Sequence, residues 1–203
     1  MHSLSDKKRH LLCRLPLLIV LLVSVLSLTA LIEAGTTSAF DTAVIHAVQS
    51  DKSVTMQAFM EGITTLGTFV GVVAILILAG IWLWHRRAYP ALKELLAVAL
   101  VSFVTEVVVK VLVHRARPVS WLGIHEPGYS FPSGHAIMSF VIAVELVLIL
   151  HRLGRLRLWK AAVLLGLAAA VGISRIYLGV HWPTDVIGSW LMGSVIILAE
   201  RWI

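Results

Sequence analysis

Three short stretches of this 203-residue chain carry side chains that could do chemistry together: Lys110 with Arg117 and Pro118, the run Pro132-Ser133-Gly134-His135, and Ser174-Arg175 followed by His181 and Asp185. Lys110, Arg117 and Arg175 supply three fixed positive charges, and two of these are planar forks that match phosphate oxygens in pairs. Ser133 and Gly134 stand just before a predicted helix, where backbone N–H groups can point at an anion. Two imidazoles complete the set, His135 and His181. Only His181 has a carboxylate four residues on, Asp185. A carboxylate on one imidazole nitrogen fixes the tautomer and leaves the other nitrogen free to attack. His181 is therefore the candidate nucleophile, and His135 the candidate acid for the leaving oxygen. A nucleophile, an acid and an anion cradle describe phosphoryl transfer.

The elements that must position these residues are apolar helices. Hydrophobic residues make up 59% of the chain and charged residues 14%, with a mean hydropathy of +0.92. Soluble domains carry roughly 25% charged residues, so the chain reads as an integral membrane protein. A helix needs about 20 apolar residues to cross a bilayer. Apolar runs predict six crossings, over 15–34, 63–84, 92–113, 136–150, 161–173 and 186–202, within one domain covering 1–203. The fold class is all-α. A short amphipathic helix is expected over 42–48 inside a polar segment, 35–60. Polar loops over 115–134 and 174–185 hold the chemistry, and a basic loop spans 151–160. Pro16 fits a helix start, and Pro90 breaks the chain before the third crossing. The first run also has the basic head of a secretory signal, but it is long for one and lacks a clean small-x-small cleavage pattern, so it reads as an uncleaved span.

Charge orients the bundle. With the N-terminus inside, the cytoplasmic side holds Lys7, Lys8, Arg9, Arg14, Arg86, Arg87, Lys93, Arg152, Arg155, Arg157, Lys160 and Arg201, which is 12 of the 17 basic residues. Both termini are then cytoplasmic and the chemical residues extracytoplasmic, in a plasma-membrane protein. The net charge of +6 is a topology signal of this kind, and no nucleic-acid partner is expected. A lone Cys13 excludes an internal disulfide and a cysteine-based zinc cluster.

Lys110-x6-Arg117-Pro118, Pro132-Ser133-Gly134-His135 and Ser174-Arg175-x5-His181-x3-Asp185 resemble the three-part signature of the type 2 phosphatidic acid phosphatase superfamily, with all eleven fixed positions present in order. The resemblance implies a metal-independent, cofactor-free lipid phosphatase with an extracytoplasmic phosphate pocket. It implies a phosphohistidine on His181, oriented by Asp185, with His135 protonating the leaving group and then activating water. Lys110, Arg117, Ser133, Gly134 and Arg175 would bind the phosphoryl oxygens. Phosphatidylglycerophosphate, undecaprenyl pyrophosphate and phosphatidic acid are the implied substrates. Lipid-to-lipid phosphotransfer is the alternative that keeps the same intermediate. A non-catalytic transporter would give no reason for two histidines beside three cations.

Singly, these residues have plainer readings. Lys110 could snorkel to the interface, and Glu106, one helical turn away, could pair with it. His114 and His125 match no motif position, and Glu145 lies inside the fourth span without an assigned role. Trp82, Trp84, Trp121, Trp159, Trp182 and Trp202 fall at predicted membrane boundaries. Tyr177 and Trp182 are alternatives for the lining of a lipid entrance.

Overall fold

The computed structural model describes the backbone of residues 2–201 and the side chains of residues 14–201. The side chains of Lys7, Lys8, Arg9 and Cys13, and Trp202 altogether, lie outside the described residues. Regular structure among the described residues is helical throughout: α1 (His2–Glu33), α2 (Ser38–Val48), α3 (Val54–Thr64), α4 (Phe69–His85), α5 (Tyr89–Val113), α6 (Gly134–Arg152), α7 (Leu158–Tyr177) and α8 (Pro183–Glu200), with a 3-10 turn over Thr65–Gly67. Four helices are long and apolar enough to cross a membrane: α1 over Arg14–Glu33, α5, α6 and α7. The α3–α4 pair, bent by 57°, makes a fifth if counted as one broken span. Length and apolarity thus give four or five crossings among the described residues, and α8 falls outside them. It carries Thr184, Asp185 and Ser189 as buried polar side chains. The chain is a multi-pass helical membrane protein.

Several boundaries differ from the sequence expectation, each for a local reason. The first helix runs straight through Pro16 and does not start there. The helix expected over 42–48 begins at Ser38, and α3 was not anticipated at all. The second crossing starts at Phe69, since the chain breaks at Thr68, whose extended backbone and hydroxyl cap α4 by accepting from the Gly71 N–H at 3.1 Å. Pro90 lies within the first turn of α5, where its missing N–H costs nothing. The polar turn expected from Ser174 to Asp185 is much shorter. α7 carries Ser174 and Arg175 on its last turn, and α8 carries Asp185 on its first.

Packing makes α6 the centre of the bundle, in contact with α5, α7 and α8, while α1 lies along α8. Val98, Ile137, Val141 and Phe131 are buried in one core. Membrane helices associate through close packing against small residues. Gly193 fits this pattern, since a Cβ there would stand 2.8 Å from the Phe140 ring. Outward faces are apolar: Leu26, Leu100 and Leu112 are 69%, 64% and 69% exposed, as a lipid-facing surface requires.

The antiparallel order brings the C-terminal ends of α1, α5 and α7 together with the N-terminal ends of α6 and α8. Most of the signature sits at this end. The opposite end gathers the basic residues, with Arg152 paired to Glu94 and Arg201 Nη2 2.5 Å from Glu145 Oε2. Glu145 is fully buried, so its role is to hold the end of α8 against α6.

Candidate active site

His181 lies in the short link between α7 and α8 and is buried. Gly179 makes the turn at φ +69°, a conformation glycine adopts without penalty. The N–H groups of Val180 and His181 then fold back onto the Arg175 carbonyl at 3.2 and 3.3 Å. His181 Nδ1 is 3.4 Å from Asp185 Oδ2, a long contact not aligned as a hydrogen bond. Its Nε2 faces Arg117 Nη1 at 3.0 Å. A guanidinium only donates, so these partners assign the lone pair to Nε2 and the proton to Nδ1. Burial pushes the imidazole pKa down from its ordinary value. Asp185 partly opposes this, and Arg175 and Arg117 push it further down. The ring is accordingly neutral and carries its lone pair toward the cations, as a nucleophile must.

Asp185 is saturated with donors. Its Oδ1 accepts from Arg115 Nη1 at 2.6 Å, and its Oδ2 accepts from the Trp182 N–H at 2.8 Å and from the Ser130 hydroxyl.

Each cation of the cradle already holds a carboxylate. Lys110 Nζ lies 2.5 Å from Glu106 Oε1, one turn back on α5, as the i,i+4 spacing predicts. Arg117 donates to the Val180, Gly128 and Pro127 carbonyls at 2.8, 3.2 and 3.3 Å, and Glu126 Oε2 is 3.2 Å away. Burial lowers the Arg117 pKa, with Glu126 opposing. Arg175, buried, donates to Thr64 Oγ1 at 2.8 Å and to Glu126 Oε1. Burial alone would raise the Glu126 pKa, but Arg175, then His181 and Arg117, hold it below the usual carboxylate value. Glu126 thus sits between two guanidinium groups, where a phosphate would fit.

Ser133 is committed to structure. Its hydroxyl accepts from the Ala136 N–H at 3.4 Å, and its own N–H donates to Ser189 at 2.9 Å. The first-turn N–H groups of Gly134 and His135 have no acceptor within the helix and remain for an anion. Gly134 leaves room for the Glu106 carboxylate, which a Cβ at that position would overlap. The His135 ring lies across Gly67, in the bend between α3 and α4.

The fold therefore brings His135, His181, Asp185, Lys110, Gly134, Arg117 and Arg175 to one end of the bundle, with Ser133 directly behind. Tyr177 does not line an entrance. It is buried edge-on against Trp121, with ring centroids 5.8 Å apart. Trp182 covers Arg115 and donates to the Ala116 carbonyl at 2.9 Å. His114 ends α5 in the left-handed region and packs on Tyr129. Glu126, Arg115, Asp41, Thr64 and Ser130 belong to the site without having been assigned a role in it. A carboxylate or an arginine beside a polar loop reads as solvated, and Asp41 lies 74 residues before Arg115. The one available signal was charge, since Arg115 stands among the few basic residues on the sparsely basic side.

The chain is similar to known proteins in sequence and in fold. A family model described as the PAP2 superfamily matches residues 90–203. The chain is 30% identical over 181 residues to phosphatidylglycerophosphatase B of Bacillus subtilis (strain 168), covering 87% of this chain and 89% of that protein. It is 36% identical over 104 residues to the undecaprenyl-diphosphatase of Sulfolobus acidocaldarius, covering 46% of this chain and 48% of that one. The crystal structure of a transmembrane PAP2 type phosphatidylglycerolphosphate phosphatase from Bacillus subtilis superposes with a TM-score of 0.80 at 29% identity, over 91% of this chain and 94% of that chain.

Proposed function

The chain belongs to the PAP2 superfamily, and from that premise we propose that it removes phosphate from a phosphomonoester or pyrophosphate carried by a membrane lipid, through a phosphohistidine on His181. The observation that carries the lipid reading is a groove of about 410 Å³ between α4, α5 and α6. Its walls are apolar, with Val72, Leu96 and Phe103 among them, and it ends at Glu106, Gly134 and His135. An acyl or prenyl chain in this groove would present its phosphate to the cradle, and the groove has the volume of an ordinary ligand site.

In the proposed reaction the phosphoryl group displaces Glu126 and is held by Lys110, Arg117, Arg175 and the N–H groups of Gly134 and His135. His181 Nε2 attacks phosphorus while the bond to the lipid oxygen breaks, and His135 gives that oxygen its proton. Asp185 balances the positive charge that grows on the His181 ring. His135 then takes a proton from water, which attacks the phosphohistidine and frees His181 and inorganic phosphate. The three cations offset the charge on the transferring oxygens, so no metal ion or other cofactor is required. Taking α8 as a further crossing beside α1, the α3–α4 pair, α5, α6 and α7 makes six, and the distribution of basic residues then puts both termini in the cytoplasm and the site on the extracytoplasmic face.

The test is phosphate release by the purified protein in excess EDTA. Phosphatidylglycerophosphate, undecaprenyl pyrophosphate, phosphatidic acid and a water-soluble phosphomonoester would each serve as substrate. Turnover of the lipids well above the soluble ester is expected, with radiolabel trapped on histidine. Activity that chelation removes and Mg²⁺ restores would overturn the mechanism, and delivery of the label to a second lipid would favour the phosphotransferase. For sidedness, Val119→Cys in a Cys13→Ser background should react with an impermeant thiol reagent in intact cells, and Arg155→Cys should not.

A further inference from the structure

Behind Asp185 stands a second ion pair that the reaction as described does not use. Arg115 spreads its two terminal nitrogens between two buried carboxylates. Nη1 donates to Asp185 Oδ1 at 2.6 Å and Nη2 to Asp41 Oδ2 at 2.6 Å. Asp41 lies on α2, outside the signature region and outside the residues matched by the family model. Asp41 and Asp185 are both fully buried. Asp41 also holds the start of α8. Its Oδ1 accepts from the Thr184 N–H at 2.9 Å, and the Thr184 hydroxyl donates to its carboxylate while accepting from Arg115 Nη1 at 2.7 Å. The Trp182 ring covers the guanidinium at 5.6 Å, and Thr37 adds a hydroxyl at 3.2 Å from Nη2.

We propose that Asp41 and Arg115 are positioning residues for catalysis, forming with Asp185 a three-charge relay that aims one net negative charge at His181. This rests on the phosphohistidine reading of His181. The physical argument has two steps. A buried carboxylate without a partner takes up a proton, and a protonated Asp185 could not balance the cation that forms on His181 as Nε2 attacks. Arg115 keeps it ionised and, as a two-pronged donor, fixes its plane. Arg115 alone would cancel the charge that His181 needs. Asp41 neutralises Arg115 in turn, so the three groups together present a single negative charge to the ring. Because Asp41 also holds the first turn of α8, the relay fixes both the charge and the place of Asp185.

The charged and titratable groups facing Asp185 are Arg115 and Arg117 from the 114–133 loop, His181 from the α7–α8 link and Asp41 from α2. Arg175 on α7 and Glu126 lie beyond His181. The experiment uses the purified full-length protein with a lipid phosphate that it turns over. Arg115→Gln and Asp41→Asn are read by kcat, KM, product inhibition by inorganic phosphate, and the pH profile of kcat. In both variants kcat should fall about 10- to 100-fold, by analogy with the carboxylates that orient metal-bound imidazoles from behind. KM and the inhibition constant for phosphate should stay within about threefold, since neither residue reaches the phosphate. The acid limb of kcat should move to higher pH in Arg115→Gln, where Asp185 has lost its cation, and to lower pH in Asp41→Asn, where it has lost a neighbouring anion. Arg115→Lys keeps the charge without the fork and should recover part of kcat. It carries the same test if the glutamine variant does not fold. Wild-type kcat in these variants would overturn the relay, as would parallel loss of kcat and phosphate affinity with an unmoved acid limb. Absence of phosphohistidine in the wild-type protein would instead overturn the reading on which the relay rests.

Discussion

The Glu126 carboxylate bridges the two arginines of the proposed phosphate cradle, with Oε2 3.2 Å from Arg117 Nη1 and Oε1 bonded to Arg175. A substrate phosphate must replace that carboxylate, since the same guanidinium donors serve both. Glu126→Gln removes the competing charge while keeping the side chain's shape. Inhibition by inorganic phosphate and by vanadate should tighten by about 3- to 10-fold, the scale of a partly exposed ion pair near 1 kcal/mol. Competition assays at fixed ionic strength measure it. Weaker inhibition would show instead that Glu126 supports the arginines in the bound state.

The two histidines should fail in different ways. His181→Ala removes the attacking atom, so both the phosphoenzyme and turnover should vanish. His135→Ala loses mainly the proton donated to the leaving oxygen, a contribution of typically ~10²–10⁴-fold. The deficit should shrink for aryl phosphates, whose leaving groups need no proton. Rapid-quench trapping of radiolabelled substrate separates the two cases. A labelled phosphoprotein in His181→Ala would move the nucleophile elsewhere.

The protonation of His181 follows from its surroundings. Its pKa lies below the ordinary 6.5 because the ring is buried; Asp185 opposes that shift, and the positive charges of Arg175 and Arg117 add to it. A lowered pKa on a base means the neutral form persists as pH falls through 6.5. At pH 6.5, where an ordinary imidazole is half protonated, the His181 signal in nitrogen-15 NMR, assigned by difference against His181→Gln, should therefore be mainly that of a neutral ring. Arg117→Gln removes one of the depressing charges, and its midpoint should move upward.

The gathering of Lys110, Arg117, Gly134, His135, Arg175, His181 and Asp185 at one end of the bundle was legible because they stand at fixed spacings next to apolar runs, and helix ends convert such spacing into proximity. Glu106 was legible from helical spacing alone, since i,i+4 partners meet on any helix. Glu126 and Asp41 were not, because their partners are set by how the 114–133 loop and α2 fold over the bundle. The broken α3–α4 pair was obscured by its own composition, as residues 63–68 carry no charge and so read as the start of the crossing that α4 makes. Only the Thr68 hydroxyl and Gly67 mark the bend.

Gly134 tests the fit between the second motif and α5. A Cβ there would overlap the Glu106 carboxylate, which in turn holds Lys110 at 2.5 Å. Gly134→Ala must therefore displace Glu106 and carry Lys110 with it. The expected result is a loss of kcat/KM of about tenfold or more, since misplacement by about 1 Å can cost 10²-fold. Glu106→Asp withdraws the carboxylate by one methylene and should restore part of that loss in the double variant. If the two substitutions combine with no recovery, the contact is not the cause.

Glu145 separates stability from chemistry, because it lies at the far end of the bundle from His181. Its buried carboxylate is 2.5 Å from Arg201 and 3.4 Å from Arg152. Removing one member of a buried pair leaves the other uncompensated, typically at about 3–5 kcal/mol. Arg201 and Arg152 reach the polar end of the bundle, so Glu145→Leu should cost an amount near the lower bound. The cost should appear as a fall in the thermal midpoint in detergent and as loosening of α8, whose last turn Arg201 follows. The kcat of the fraction that remains folded should match the parent, since no residue of the cradle contacts this cluster. A changed kcat per folded molecule, with the thermal midpoint unmoved, would mean that the two ends of the bundle are coupled and that α8 transmits the change from Glu145 to Asp185.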